Sequence, residues 1–267
     1  MINAAVLGSP ISHSLSPQLH MSAYKHLDIS GNYGSFDVPA GSLRDFLKDK
    51  ASCWTGFSLT MPLKEEALSV AEVIEPLVQR IQSGNTLVRQ GNSWSLHSTD
   101  VGGFQSAWGY QNPSKPKSVL IVGSGATARA AAAAFDDEST AISVIHRNTE
   151  REVSMRASVN LSSMRFLPWQ FSNDFYESDL VINTTPKAAL DSFAEEISHK
   201  PKGTFFDVIY NPWPTQFANA WANSGSTVIS GLDLLIAQGI EQIKLFSGVD
   251  FDQQELSAFL KRELASK

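Results

Sequence analysis

The segment VLIVGSGATARAAAAAF, residues 119 to 135, constrains the fold more than any other part of the chain. It reads as a buried strand, Val119 to Gly123, then a glycine turn, then an alanine-rich helix, Thr127 to Phe135. The turn has the form G-x-G-x-x-A. Gly123 permits the tight bend, Gly125 lets the backbone approach a pyrophosphate, and Ala128 lets helix and strand pack closely. The helix start offers free N–H groups and a positive dipole end, so Gly123, Ser124, Gly125, Ala126 and Thr127 are candidates for holding a dinucleotide. The bland alternative is a plain tight βα turn. A second strand, Ile142 to His146, ends in His146, Arg147, Asn148, Thr149, Glu150 and Arg151. An NAD site places a carboxylate at that tip to accept the ribose hydroxyls. None stands there, and Arg147 and Arg151 could clamp a 2′-phosphate, so the residues favour NADP. The competing reading is an exposed pair of arginines at a helix start.

The alternation of strand and helix extends along the whole chain. Strands are expected at Ala4 to Gly8, Tyr33 to Val38, Gly56 to Thr60, Trp94 to Ser98, Leu180 to Asn183, Thr204 to Val208 and Thr227 to Ile229, besides the two already described. Helical spacing marks Gln18 to Leu27, Thr215 to Asn223 and Leu232 to Phe246. This order implies an α/β fold of parallel sheets covered by helices. The stretch Gln111 to Lys117, with Pro113 and Pro116, is the best linker candidate, and Ser230 and Gly231 mark a second junction. No repeat or low-complexity tract is evident.

At 267 residues the chain holds two domains or one large unit. A formal net charge of −6 argues against a protein that coats nucleic acid or an anionic membrane. Anionic ligands then need a local basic pocket, which Arg147 and Arg151 would supply. A lone cysteine, Cys53, excludes an internal disulfide and a Cys-based zinc knuckle; the expectation is an inert core thiol in a reducing compartment. No basic region precedes the short apolar N-terminal stretch, and no apolar run reaches about 18 residues, so a cytoplasmic protein is expected. The six histidines lack metal-ligand spacing, His13 and His20 being taken as helix-flanking residues. No serine sits in a G-x-S-x-G elbow, and the tryptophans lack the basic interleaving of a single-strand binder.

Polar clusters stand at expected strand ends, where open α/β sheets put their ligands. They are Ser14 and Ser16 in SHSLSP, Ser58, Thr60 and Lys64 in SLTMPLK, Asn85 and Thr86 in SGNT, and Thr99 and Asp100 in STDVGG. Singly, each has a bland account. Ser16 before Pro17 and Asp100 before a helix make good N-caps, and Lys64 at a helix start reads as a solvated charge.

Taken together and in order, SxS, T-x-P-x-K, NT and TD-x-x-G ahead of a dinucleotide fold resemble the shikimate dehydrogenase family. DLVINTTP (Asp179 to Pro186), DVIYNPWPT (Asp207 to Thr215) and GLDLLIAQ (Gly231 to Gln238) extend the resemblance over nearly the whole chain. It implies a two-lobed enzyme: an N-terminal α/β substrate domain, residues 1–101 completed by helices in 231–267, and a Rossmann-type domain, 102–230, with substrate in a hinged cleft between them. It also implies NADP-dependent oxidation of shikimate to 3-dehydroshikimate, run in reverse in aromatic amino-acid (chorismate) biosynthesis. By resemblance, Ser14 and Ser16 would bind the substrate carboxylate with Tyr210 nearby, and Ser58, Thr60, Asn85 and Gln238 the ring hydroxyls. Lys64 and Asp100 would be the catalytic pair. Cofactor contacts would add Asn148, Thr184, Ile209, Gly231 and Leu234. Either a monomer or a homodimer is compatible.

The chemistry suits these residue types. Removing hydride from a secondary alcohol needs one positioned base for the hydroxyl proton, and an adjacent Asp fixes a lysine in that role. Several positions depart from the family pattern. Ser58 stands where Asn is usual, as does Ser98; Asn148 takes the place of Thr, Leu234 that of Met, and Lys187, Ala188 and Ala189 replace a Gly-Met. Quinate, with one more hydroxyl on a saturated ring, is therefore an alternative substrate. A non-catalytic NADP-binding sensor would be marked by loss of the Lys or Asp, and both are present.

Overall fold

The computed structural model describes residues 1–50 and 53–265, which divide into two compact units, Met1–Gly103 with Leu235–Lys267, and Phe104–Leu234. The first unit contains β1 (Ile2–Gly8), α1 (Ser16–His26), β2 (Gly31–Asp37), α2 (Leu43–Lys50), β3 (Gly56–Leu59), α3 (Leu63–Glu66), β4 (Val73–Ile74), α4 (Pro76–Ile81), β5 (Thr86–Gln90) and β6 (Ser93–His97). Helix α5 (Thr99–Gly109) carries the chain into the second unit, where β7 (Ser118–Val122), α6 (Ala126–Ala134), β8 (Ala141–Ile145), α7 (Glu152–Ala157), β9 (Ser163–Leu167), α8 (Asp174–Glu177), β10 (Leu180–Asn183), α9 (Asp191–Ala194), β11 (Thr204–Asp207), α10 (Gln216–Asn223) and β12 (Val228–Ile229) follow. Helix α11 (Gly231–Ser247) returns the chain to the first unit and α12 (Gln253–Ala265) ends it.

Both passages between units thus fall inside helices. The proline-containing stretch 111–117 is a loop within the second unit and not the junction, because turn residues mark where the chain bends and not where contacts thin out.

The first sheet has the order β2-β1-β3-β5-β6-β4. Its β1, β2 and β3 are parallel, but β5 runs antiparallel to both β3 and β6. The expectation of purely parallel sheets fails here for a local reason. Gln90 pairs with Ser93, leaving Gly91 and Asn92 as a two-residue turn, and a connection that short can only join antiparallel strands. Strand β5 was not anticipated, nor were β4, only two residues long, and β9, whose half-exposed SMRFL sequence lacks a clean apolar signal. Beneath this sheet Leu7, Leu43, Phe57, Leu63, Leu87 and Leu96 form a fully buried core.

The second sheet is parallel throughout, in the order β12-β11-β10-β7-β8-β9. Order reverses at β7, which lies between β8 and β10, and this switch point opens a crevice beyond the strands' C-terminal ends. Ala128 and Ala130 to Ala134 of α6 are buried, and their small side chains let the helix lie close on the sheet. Across the sheet from them, Leu120, Val122, Phe175, Phe205, Phe217 and Trp221 belong to the unit's aromatic core.

Cys53 is exposed and is not a core thiol. It lies outside β3, and its backbone carbonyl accepts from Asn3 Nδ2 at 3.0 Å. His20 does not flank α1; it is buried in the middle of that helix. Among the described residues no helix is long and apolar enough to cross a membrane, and no group of three or more His, Cys, Asp and Glu is arranged to hold a metal ion.

Candidate active site

In the first unit, the short helix α3 and the residue ahead of β5 meet the start of α5 and one face of α11. Lys64 lies in α3, which begins where the Leu63 N–H donates to the Thr60 carbonyl at 2.8 Å. Its Nζ is 2.5 Å from Asp100 Oδ2, and the two side chains are 16% and 8% exposed, so Lys64 is not a solvated charge. Asp100 sits in the first turn of α5, but its carboxylate is directed to side chains and not to capping. Asn85, just before β5, donates from Nδ2 to Asp100 Oδ1 at 2.9 Å, with Thr99 Oγ1 at 2.9 Å and Gln238 Oε1 at 3.2 Å sharing its two protons. Its Oδ1 accepts the Thr99 backbone N–H at 2.8 Å, which fixes the orientation of the amide. Gln238 is anchored by donating to the Leu235 carbonyl at 2.9 Å. The fold therefore brings Lys64, Asn85, Asp100 and Gln238 into one hydrogen-bonded cluster.

The other expected substrate residues of this unit are arranged more loosely. Ser14 Oγ accepts the Ser16 N–H at 3.3 Å, and Ser16 is buried as the first residue of α1. It is not the N-cap: that position belongs to Leu15, whose side chain makes no capping bond. Thr60 lies against Gly8, where a Cβ would fall 2.3 Å from Thr60 Cγ2, so the glycine lets the ends of β1 and β3 come together. Ser58 is buried; its hydroxyl accepts from Tyr33 at 2.6 Å and donates to Gln242 Oε1 at 2.7 Å.

One ionisable neighbour gave no signal in the sequence. Glu241 of α11 packs its carboxylate on Gly102, where a Cβ would fall 1.9 Å from Oε1. Burial, reinforced by Asp100 and then Glu75, pushes its pKa up to about 7. Glu75 itself is held 2.5 Å from His97 Nδ1. Gln242, four residues beyond Gln238 and so on the same helical face, carries no sequence signal either.

The second unit presents a different kind of site. Gly123, at the tip of β7, has φ +115°, and a Cβ there would lie 2.4 Å from Thr184 Oγ1 at the end of β10. Only glycine fits that conformation in that space. Thr184 is held in turn by donating both N–H and hydroxyl to the Val122 carbonyl at 2.9 Å. Gly125 caps α6 without a side-chain bond to the free N–H groups of Ala126 and Thr127. The nearest atom to a Cβ at Gly125 would be Arg151 Nη1 at 3.5 Å, so a guanidinium faces the glycine turn. Arg147 stacks its guanidinium 3.9 Å from the centre of the Trp169 ring, a partner the sequence did not suggest. Asn148 caps the turn by accepting the Glu150 N–H at 2.9 Å. A carboxylate does approach the tip of β8, that of Glu152, but it pairs with His146 Nε2 at 3.2 Å. This arrangement of open N–H groups, a cradle that a Cβ would fill and two cations has the donor set for a phosphorylated dinucleotide.

The loops after β10 and β11 are pinned to one buried carboxylate. Asp207 accepts from Asn183 Nδ2 at 3.0 Å, the Ile209 N–H at 3.1 Å and the Thr215 hydroxyl at 2.8 Å, although burial raises its pKa. These bonds place Thr184, Ile209 and Tyr210. Gly231 abuts the Val208 carbonyl, 2.3 Å from where a Cβ would stand, and Leu234 is buried.

Known proteins are similar to this chain in sequence and fold. A model of the shikimate dehydrogenase substrate binding domain matches residues 6–87. The NADP(+) shikimate dehydrogenase of a Nostoc species is 31% identical over 257 residues, covering 90% of this chain and 89% of the relative. Among solved structures, the shikimate dehydrogenase of Mycobacterium tuberculosis superposes with a TM-score of 0.86 at 30% identity, covering 98% of this chain and 100% of that one. The Thermus thermophilus shikimate 5-dehydrogenase, solved with NADP(H) and shikimate, gives a TM-score of 0.85 at 30% identity with the same coverage. Identity and coverage of this extent place the chain in the shikimate dehydrogenase family.

Proposed function

We propose that this protein is an NADP-dependent shikimate dehydrogenase, interconverting shikimate and 3-dehydroshikimate in the route to chorismate and the aromatic amino acids. The observation that carries the reading is the Lys64–Asp100 pair, 2.5 Å apart, shielded from bulk water and held by Asn85. Gly123, Ser124, Gly125, Ala126 and Thr127 would hold the diphosphate, and Arg147, Asn148 and Arg151 the 2′-phosphate, with Thr184, Ile209, Gly231 and Leu234 completing the pocket. When bound, the nicotinamide supplies the acceptor for the hydride.

The protein's own task is the proton. As a neutral amine, Lys64 Nζ takes it from the reacting hydroxyl in oxidation, and as the resulting ammonium it gives it to the carbonyl oxygen in reduction. Asp100 orients Nζ and balances its charge, and Asn85 keeps Asp100 from turning away. Ser14 and Ser16, with Tyr210, would bind the carboxylate, while Thr60, Asn85 and Gln238 would sort the ring hydroxyls. Such a set of hydroxyls and amides around one cation suits a neutral polyol bearing a single acid group.

Replacing the base separates turnover from binding. Lys64→Ala is expected to lower kcat by about 10²- to 10⁴-fold, while shikimate affinity, measured by equilibrium titration, changes far less. Near-normal turnover in this variant would remove Lys64 from the mechanism.

A quinate or dual quinate/shikimate dehydrogenase is the second reading, and Ser58 favours considering it. Its hydroxyl proton is already given to Gln242, so toward a ring hydroxyl Ser58 can only accept. Comparing kcat/KM for the two acids decides between them.

A further inference from the structure

A buried polar chain leads into the Lys64–Asp100 pair from behind. Tyr33, Ser58, Thr86 and Gln242 are all buried, as is His20, which lies flat on Tyr33 with ring centroids 3.8 Å apart. The direction of each bond can be followed. The Tyr33 hydroxyl donates to Ser58 at 2.6 Å, and Ser58 gives its one proton to Gln242 Oε1 at 2.7 Å. Gln242 Nε2 donates to Thr86 Oγ1 at 3.0 Å, and that hydroxyl passes its own proton to Asn85 Oδ1 at 3.1 Å. Asn85 Nδ2 then donates to Asp100 Oδ1 at 2.9 Å.

A hydroxyl has one proton, so the direction chosen at one link sets the next. Gln242 is the joint at which acceptance on one side becomes donation on the other. Its Oε1 also lies 3.3 Å from His20 Nε2. Burial lowers the His20 pKa to about 3, against the opposing effect of Gln242, so the ring is neutral and donates from Nε2, leaving Nδ1 as its unpartnered atom. The Tyr33 hydroxyl, whose pKa burial raises, stays a donor. No charged group sits within the chain up to Asp100, and its polarity is fixed.

We propose that Gln242 is a positioning residue for the catalytic pair: through Thr86 it orients the Asn85 amide, and through Asn85 the Asp100 carboxylate that holds Lys64. This rests on the dehydrogenase reading above. Gln242 touches none of the reacting atoms in that reading. Asn85 Oδ1 has a second restraint in the Thr99 N–H, so loss of the Gln242 link loosens the pair without releasing it.

The test is shikimate oxidation with NADP by the wild type, Gln242→Met, Gln242→Glu, Thr86→Val and the double variant Thr86→Val/Gln242→Met across a range of pH. Gln242→Met, close in size and unable to bridge, is expected to lower kcat roughly three- to tenfold with the KM for NADP unchanged. In Gln242→Glu a carboxylate still accepts from Ser58 and His20 but cannot donate to Thr86; its protonated form can. Its kcat relative to wild type is therefore expected to climb toward one as pH falls, while that of Gln242→Met stays flat. Thr86→Val cuts the adjoining link, and the double variant is expected to lose no more than the worse single one. Wild-type kcat in Gln242→Met, a flat ratio for Gln242→Glu, or additive losses in the double variant would overturn the proposal. An inactive wild type would overturn the dehydrogenase reading and this inference with it, whereas an active wild type with any of those three results overturns this inference alone.

Discussion

The two candidate sites are constructed on opposite plans. At the glycine turn of the second unit, a strand end, a residue at φ +115° and a helix start lie within one short stretch, and the backbone supplies the binding groups. In the first unit Lys64, Asn85, Asp100 and Gln238 come from four separate parts of the chain, and side-chain hydrogen bonds assemble them. A backbone site tolerates almost any side chain that leaves the main chain in place, but fails when a glycine is replaced. A side-chain site fails by degrees as its bonds are removed one at a time.

Four substitutions probe that contrast. The largest effect is expected at Gly123. Gly123→Val must hold a β-branched residue at positive φ with its Cβ on Thr184, which costs several kcal/mol and is expected to weaken NADP binding by about 10²-fold. Shikimate binding to the same variant, measured by calorimetry without cofactor, should be unchanged; a parallel loss would mean that the two sites are not separable in this way. Next come the cations. Arg147→Ala and Arg151→Ala are each expected to raise the KM for NADP about 5- to 30-fold and to leave that for NAD nearly unaltered. Equal losses with both cofactors would return these arginines to the role of an exposed pair.

The smallest effect belongs to the side-chain site and is read from pH. Glu241 binds its proton with a pKa of about 7 in the folded chain against an ordinary 4.5, so between those values the native state holds a proton that the unfolded state has released. Stability contributed at this position therefore falls as pH rises through that window and is fully lost above it. Glu241→Gln is expected to remove the fall, gaining about 1–3 kcal/mol at about pH 8 and little at about pH 4. Thermal midpoints of both proteins across this range check it, and a gain that is independent of pH would contradict the assignment.

This difference in construction also decides what could be read without coordinates. The G-x-G-x-x-A turn carries its geometry in its own residues, and the parallel pairing of the strands around it followed from the alternation of strand and helix. Nothing in the separations between positions 64, 85, 100 and 238 says that they meet; only the ordered motifs and the family they resemble did so. The antiparallel β5 escaped notice because Gly91 and Asn92 are a turn signal whose flanking strands alternate weakly. Trp169 and Gln242 were illegible because their partners, Arg147 and Ser58, lie far off in sequence, and a long-range contact between polar side chains leaves no periodic trace. The start of α1 lies one residue earlier than serine before proline suggests: that pair has the composition of a cap and first turn, but Leu15 is the cap and Ser16 already helical.

One measurement bears most directly on the whole account: kcat/KM of the purified wild-type protein for shikimate and for quinate, each with NADP and with NAD. The expected result is the highest value for shikimate with NADP, by at least about tenfold over the same acid with NAD. A clear preference for NAD would contradict the role given to Arg147 and Arg151, and turnover of neither acid with either cofactor would contradict the dehydrogenase itself.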